Sequence, residues 1–139
     1  MTNRIQDKLL EIGRFGCYFL CLLKIAEAVT LKPSDIVAAY DEMIREGLMK
    51  RNCFVINPKA ILERLTDKFC IYKPIDTDYN GGEYDFTIKR YSLIYGGQEQ
   101  THFVLYDADG KELLDPAPDS KIKANGKVDA CRCFSFFGR

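Results

Sequence analysis

The sequence predicts an α+β fold in which N-terminal helices pack on a C-terminal antiparallel β-sheet. In residues 1–68, apolar side chains recur at spacings of three and four, which is the period of a helix with one buried face. From residue 69 onward, segments rich in aromatic and β-branched residues are separated by Gly-containing turns, as in antiparallel hairpins. Helices followed by strands indicate an α+β domain. A chain of 139 residues is expected to form one such domain over residues 1–139.

Four helices are expected in the first part of the chain. Gly13 and Gly16 interrupt the apolar periodicity, so we predict a short N-terminal helix, a break, and a second helix that begins near Cys17. Two further helices are expected to follow the helix-start signals Pro33-Ser34-Asp35 and Asn57-Pro58. In the second signal, Asn57 is the cap and the proline takes the first helical position.

Five strands are expected in the second part. Each is a run of aromatic, β-branched or other apolar residues, and the five runs cover 69–72, 84–93, 102–106, 112–114 and 131–137. Asp109-Gly110 between the third and fourth runs is a strong hairpin signal. The predicted sheet part therefore covers residues 69–139, and turn residues separate its strands.

The charge balance and the cysteine content narrow the class of function. The chain has 20 Lys and Arg residues against 20 Asp and Glu residues, whereas nucleic-acid-binding proteins normally carry a basic excess. No apolar run approaches the ~18 residues that are needed to cross a bilayer. The six cysteines of a chain able to form a core are expected to be reduced thiols. We therefore expect a cytoplasmic protein without a nucleic-acid or membrane partner.

A histidine and an aspartate are expected to meet across one predicted hairpin. His102, the single histidine, opens the third strand, and Asp115 follows the fourth. If the two strands pair about the turn at 107–110, His102 lies within one or two positions of Asp115, with Cβ atoms ~5–8 Å apart. A carboxylate at that distance can orient an imidazole. A slip of one residue in the register would place the two side chains on opposite faces of the sheet.

Cys17 is the candidate nucleophile. Gly16 allows the backbone to turn sharply before Cys17 opens the second helix. The positive end of the helix dipole favours a thiolate, and a neighbouring imidazolium would lower the thiol pKa further. Cys17, His102 and Asp115 would then form a nucleophile, a base and an orienting acid. Cys21, one turn later, is expected to point into the core.

The order of these residues resembles the papain-like cysteine peptidases, in which a Cys at the start of a buried helix precedes His and Asn or Asp on adjacent strands. His-Phe-Val-Leu-Tyr-Asp at 102–107, followed by Leu-Leu-Asp-Pro at 113–116, is most similar to the compact branch that trims double-glycine leaders. The chain also resembles small phage- and plasmid-borne papain-like proteins. The resemblance implies a papain-like fold and a peptide or protein substrate. It assigns the nucleophile to Cys17, the general base to His102 and the orienting acid to Asp115, with no cofactor and no metal.

One position departs from the papain-like pattern. The family usually has a Gln six residues before the Cys, where its amide donates to the oxyanion, and this chain has Glu11 there. An ionised carboxylate has the wrong charge for that role, and a lost oxyanion donor lowers the rate by roughly 10²–10³-fold. A protonated Glu11, Gln6 or Asn3 are the candidate donors.

Other interpretations stay open beside the leading hypothesis, which is a cysteine peptidase or amide hydrolase that works through an acyl-thioester. A catalytically inactive papain-like domain could bind a protein or peptide in the same cleft, and an ordinary structural module could use the same residues only for packing. Cys131 and Cys133 could join Cys17 and Cys21 in a zinc site, but thiols two residues apart in a strand fit sheet packing better.

Overall fold

Helices occupy the first half of the chain and a five-stranded sheet occupies the second, so the α+β prediction is confirmed. The computed structural model describes residues 4–138, with all side chains except those of Arg4, Ile5 and Arg14. In chain order the elements are α1 (Arg4–Phe15), α2 (Cys17–Thr30), α3 (Ile36–Arg45), α4 (Pro58–Thr66), β1 (Phe69–Ile75), β2 (Phe86–Tyr95), β3 (Gln98–Asp107), β4 (Glu112–Leu114), α5 (Lys121–Asn125) and β5 (Lys127–Phe137).

The sheet is antiparallel throughout and has the strand order β1-β5-β2-β3-β4. Strand β3 pairs with β2 along its whole length. On its other side, β3 pairs with β4 only at Leu105 and Tyr106. Within the described residues, the part of β3 that precedes Leu105 therefore has a strand on one side only, and α2 packs against β3.

The hydrophobic core lies between the helices and one face of the sheet. Phe19, Leu22 and Ile25 of α2 are fully buried, and they belong to the same cluster as Leu105 and Phe134 of the sheet. Burial of this many apolar side chains is the main favourable contribution to folding. Helix α2 is therefore the central helix, and its N-terminus is held at a fixed place relative to the sheet.

The two predicted helix starts are confirmed in detail. The Asp35 side chain caps α3 by accepting a hydrogen bond from the Ala38 N–H at 3.0 Å. The Asn57 side chain caps α4 in the same way, with the Ala60 N–H at 3.0 Å, and Pro58 is the first helical residue. Each cap satisfies a backbone donor that the helix itself cannot pair.

The break between the first two helices lies at Gly16 alone. Helix α1 continues through Gly13, so the prediction that Gly13 also interrupts the helix is wrong. A helix interior tolerates a single glycine at a cost of about 1 kcal/mol relative to alanine. The Gly16 N–H still donates to the Ile12 carbonyl at 2.8 Å, so the chain makes one last helical turn before α2 begins.

Helix α5 was not predicted from the sequence. It is a single short turn of helix that begins after Ser120, whose side chain accepts a hydrogen bond from the Ile122 N–H at 3.2 Å. It packs near β2 and β3 and thereby approaches the end of β4. None of the described helices is long and apolar enough to span a bilayer.

Candidate active site

Strand β4 contains a β-bulge close to the predicted site. Tyr106 of β3 pairs with Glu112, but the next pair along the ladder joins Leu105 to Leu114. Leu113 is therefore an extra residue without a partner in β3. The bulge shifts every later residue of β4 by one position relative to β3.

This shift brings Asp115 to the face of the sheet that carries His102. One position beyond Leu114, the register places Asp115 opposite Val104, which lies two residues from His102 and so points to the same face. In a ladder without the bulge, Asp115 would lie opposite Phe103 and would point to the other face. The sequence left this register uncertain by one residue. The structure has the register that brings the His102 and Asp115 side chains to the same face.

His102 and Asp115 form a buried, hydrogen-bonded pair. The distance between His102 Nε2 and Asp115 Oδ1 is 2.6 Å, and both side chains are only 3% exposed. The Ala117 N–H donates to the same carboxylate oxygen at 3.0 Å. The predicted contact is present, and it leaves Nδ1 as the ring nitrogen of His102 that is available to another partner.

Lys123 of α5 adds a positive charge to this pair. Its ammonium nitrogen lies 3.2 Å from Asp115 Oδ2, although the angle does not make a well-directed hydrogen bond to that oxygen. Burial alone would raise the pKa of Asp115, but the hydrogen bonds from His102 and Ala117 and the nearby Lys123 hold the pKa below its usual value. Asp115 is therefore a carboxylate at neutral pH, as an orienting group must be.

Cys17 begins α2 beside this pair. All six cysteines lie in the described part of the chain, and Cys17 is partly exposed whereas the other five are buried. The backbone of Phe103, the residue that follows His102 in β3, lowers the pKa of this thiol, and the Asp115 charge raises it. The fold therefore places the start of α2 near the predicted base and acid.

The direction of the Cys17 pKa differs from the one predicted from the helix start. Burial raises the pKa of Cys17 and the Asp115 charge raises it further, whereas backbone hydrogen bonds lower it only in part. The expectation of a lowered pKa is wrong for this arrangement because loss of water around the thiol outweighs the helix N-terminus. In the described part of the chain, the His102 ring makes its hydrogen bond with Asp115 and not with the Cys17 thiol.

Cys21 lies one turn further along α2, as predicted, and is fully buried. Its thiol donates to the Phe103 carbonyl at 3.8 Å. Cys21 therefore contacts the backbone of Phe103, at the part of β3 that has no strand on that side among the described residues. This contact fixes the start of α2 against the sheet.

The predicted oxyanion donors are spread over α1. One carboxylate oxygen of Glu11 is buried and has no hydrogen-bond partner among the described side chains and backbone. Burial and the Glu11 charge raise the pKa of Cys53 to about 11, so this carboxylate lies toward Cys53. Gln6 is exposed, and its position nine residues before the end of α1 corresponds to about 14 Å along the helix. The structure does not bring Gln6 to Cys17, and Asn3 lies outside the described residues.

The cysteines of β5 are sheet residues. Cys131 and Cys133 are fully buried, and the Thr87 hydroxyl lies 3.8 Å from the Cys133 sulfur. Among the residues that the structure describes, no group of three or more His, Cys, Asp or Glu side chains could hold a metal ion.

Sequence reasoning missed three groups that act on the site. The Ala117 N–H could have been found, because an Asp followed by Pro often accepts from the backbone two residues later. The Phe103 backbone and Lys123 had no such signal, since both reach the site only through the packing of α2 and α5 on the sheet.

Comparison with known families gives one match. The family described as "Protein of unknown function, DUF261" matches residues 2–136. Searches of curated proteins and of solved structures give no match. Because the match spans nearly all of the chain, this protein belongs to the DUF261 family.

Proposed function

We propose that this protein is a thiol hydrolase that cleaves a peptide or amide bond through an acyl-thioester on Cys17. The observation that carries the proposal is the buried His102–Asp115 hydrogen bond of 2.6 Å beside the start of α2. A base, a group that orients it and a partly exposed thiol are the parts that nucleophilic catalysis needs. The resemblance of the order Cys, His, Asp to papain-like peptidases supports the same proposal.

The reaction proceeds in two halves. The Cys17 sulfur attacks the carbonyl carbon while its proton passes to Nδ1 of His102, the nitrogen that Asp115 leaves free. The carbon–nitrogen bond then breaks and the leaving amine takes that proton. Water or another amine then attacks the thioester carbonyl and gives a proton to His102. The carbon–sulfur bond breaks to release the acid or the new amide, and the sulfur takes that proton back. Asp115 holds the ring and stabilises the imidazolium that forms in each half.

Backbone donors at the start of α2 can stabilise the oxyanion. The first backbone hydrogen bond of the helix runs from Leu20 N–H to the Gly16 carbonyl at 2.7 Å, and no side chain in the described part of the chain caps the helix. The N–H groups of Cys17 and Tyr18 are therefore among those that a helix leaves unpaired at its N-terminus. Such donors, fixed before the substrate arrives, can replace a side-chain amide in this role.

The raised Cys17 pKa requires His102 to act as a general base during attack, since the resting thiol is protonated. The same observation favours a second candidate function, in which the domain binds a peptide without cleaving it. All six thiols are free, and we propose that either function operates in a reducing compartment such as the cytoplasm.

Labelling and turnover test the hydrolase proposal. Wild-type protein is incubated with a peptidyl vinyl sulfone and, separately, with a peptide thioester, and the labelled residue is identified by mass mapping. We expect the adduct on Cys17 and slow thioester hydrolysis. His102→Ala should lower both rates by about 10²–10⁴-fold because the base is lost. Asp115→Asn should keep more activity than Asp115→Ala, because the amide oxygen can still accept from the ring.

Cys21→Ser is the matched control. It removes a thiol one turn away on the same helix but keeps a donor that can reach the Phe103 carbonyl, so it should leave the labelling and the turnover nearly unchanged, because Cys21 is fully buried and not available to the substrate. Equal rates for wild type and His102→Ala would overturn the hydrolase proposal. Peptide binding without any turnover would leave the second candidate.

A further inference from the structure

A groove of about 480 Å³ opens beside the start of α2. Its lining includes Phe15, which lies two residues before Cys17, Tyr18, which follows Cys17, and Phe103, which follows His102. The lining also includes Tyr72 and Arg132 of the sheet and the segment 52–56. We call the surface formed by these residues the aromatic groove. Its volume is in the range of sites that bury a small ligand or a short stretch of peptide.

The inner wall of the aromatic groove is formed by rings. Tyr18 and Phe103 meet edge to face, with ring centroids 4.8 Å apart. At the rim, Phe15, Phe54 and Ile56 are each more than half exposed. Exposed apolar side chains that gather around a cavity are typical of a binding surface, because they gain from being covered. The groove therefore offers a place for a large apolar side chain.

Arg90 and Arg132 both line this cavity, and Arg132 has no acidic partner among the described residues. Arg90 is paired with Asp129 through two hydrogen bonds of 2.8 and 3.1 Å. Arg132 donates to the Cys131 carbonyl at 3.2 Å, and no acidic side chain in the described part of the chain forms an ion pair with it. Burial raises the pKa of Tyr18 and the Arg132 charge opposes this rise, which puts the guanidinium near the Tyr18 hydroxyl.

We infer that the aromatic groove binds the part of a peptide substrate that carries an aromatic or large apolar side chain next to a carboxylate. The rings contact the apolar side chain, and Arg132 pairs with the carboxylate of the peptide. This carboxylate supplies the negative charge that Arg132 does not find among the described residues. The inference rests on the proposed function for its substrate class. Tyr18, the residue after Cys17, lines the groove and contacts Phe103, so the groove lies beside the start of α2, where the nucleophile is.

Binding can be measured without catalysis by using Cys17→Ala. The probes are four fluorescein-labelled hexapeptides of alanine that carry Phe-Glu, Phe-Gln, Ala-Glu or Ala-Gln at their centre, and fluorescence anisotropy gives each Kd. We expect Phe-Glu to bind most tightly, and Ala-Glu to bind about 10-fold or more weakly because the ring contact is lost. Phe-Gln should bind about 2- to 5-fold more weakly than Phe-Glu, as expected for a partly exposed ion pair.

A second variant assigns the charge preference to Arg132. Cys17→Ala with Arg132→Gln should bind Phe-Glu and Phe-Gln equally, whereas the matched control Lys127→Gln, on an exposed lysine of the same strand, should keep the preference. Thermal unfolding checks that each variant is folded. Failure of every peptide to bind, or an unchanged preference in Arg132→Gln, would overturn the inference. Selective binding with no turnover by the wild type would instead leave the groove standing and refute the hydrolase proposal.

Discussion

Replacing Gly16 by alanine should destabilise the protein and displace the start of α2. A Cβ atom at this position would lie 2.2 Å from the Ile12 carbonyl oxygen and 2.9 Å from its carbon. Both are backbone atoms of α1, so no side chain can move aside. The Gly16 N–H donates to the same carbonyl at 2.8 Å, and the chain must give up that hydrogen bond to make room.

The expected loss of stability follows from these contacts. Overpacking costs about 1–3 kcal/mol, and the lost hydrogen bond adds about 0.5–1.5 kcal/mol. A total of about 2–4 kcal/mol corresponds to a fall in Tm of about 6–15 °C for a chain of this length. Because Gly16 directly precedes Cys17, the same shift should change the rate at which iodoacetamide modifies the Cys17 thiol.

Gly13→Ala is the matched control, since it makes the same chemical change three residues earlier in α1. Among the described residues outside the helix's own neighbouring turn, nothing lies within 4 Å of a Cβ atom at Gly13, and alanine there should stabilise the helix by about 0.5–1 kcal/mol. Thermal unfolding followed by circular dichroism compares the two variants with the wild type. If Gly16→Ala melts at the wild-type temperature and keeps the wild-type alkylation rate, the steric reasoning is refuted.

Two further predictions concern the pair and the thiol. Asp115→Ala should lower the free energy of unfolding by about 3–5 kcal/mol, since it leaves buried donors of His102 and Ala117 without an acceptor. The pKa of Asp115 is lower in the folded protein than in the unfolded chain, so its ionised form stabilises above about pH 4 and this contribution is lost at lower pH. Urea unfolding of wild type and Asp115→Asn should therefore show a stability difference that shrinks below about pH 4, and a difference that stays constant with pH would contradict this. Iodoacetamide should modify Cys17 before the five buried cysteines. The rate of this reaction should still rise above about pH 8.5 because burial raises the pKa of the Cys17 thiol. A rate that levels off below about pH 8 would show that the thiolate is already formed at that pH.

The helix starts and the strand segments could be predicted from the sequence because their causes are local. Asp35 and Asn57 each cap a helix through a backbone N–H three residues away, and such a contact depends on the neighbouring residues alone. The Asp109-Gly110 turn likewise brings His102 and Asp115 to within two positions of each other on paired strands. The candidate pair was therefore visible in the sequence.

Only the tertiary structure decided how that pair and its thiol are arranged. The bulge at Leu113 selects the register that puts Asp115 on the face of His102, and a one-residue choice of this kind is made by the packing of both faces of the sheet. The pKa of Cys17 is raised because α2 buries the thiol against β3, although the helix start by itself favours the thiolate. Lys123 reaches Asp115 because α5 packs near β2 and β3. Register, loss of water and the approach of distant charges all depend on residues far apart in the chain, and no local pattern records them.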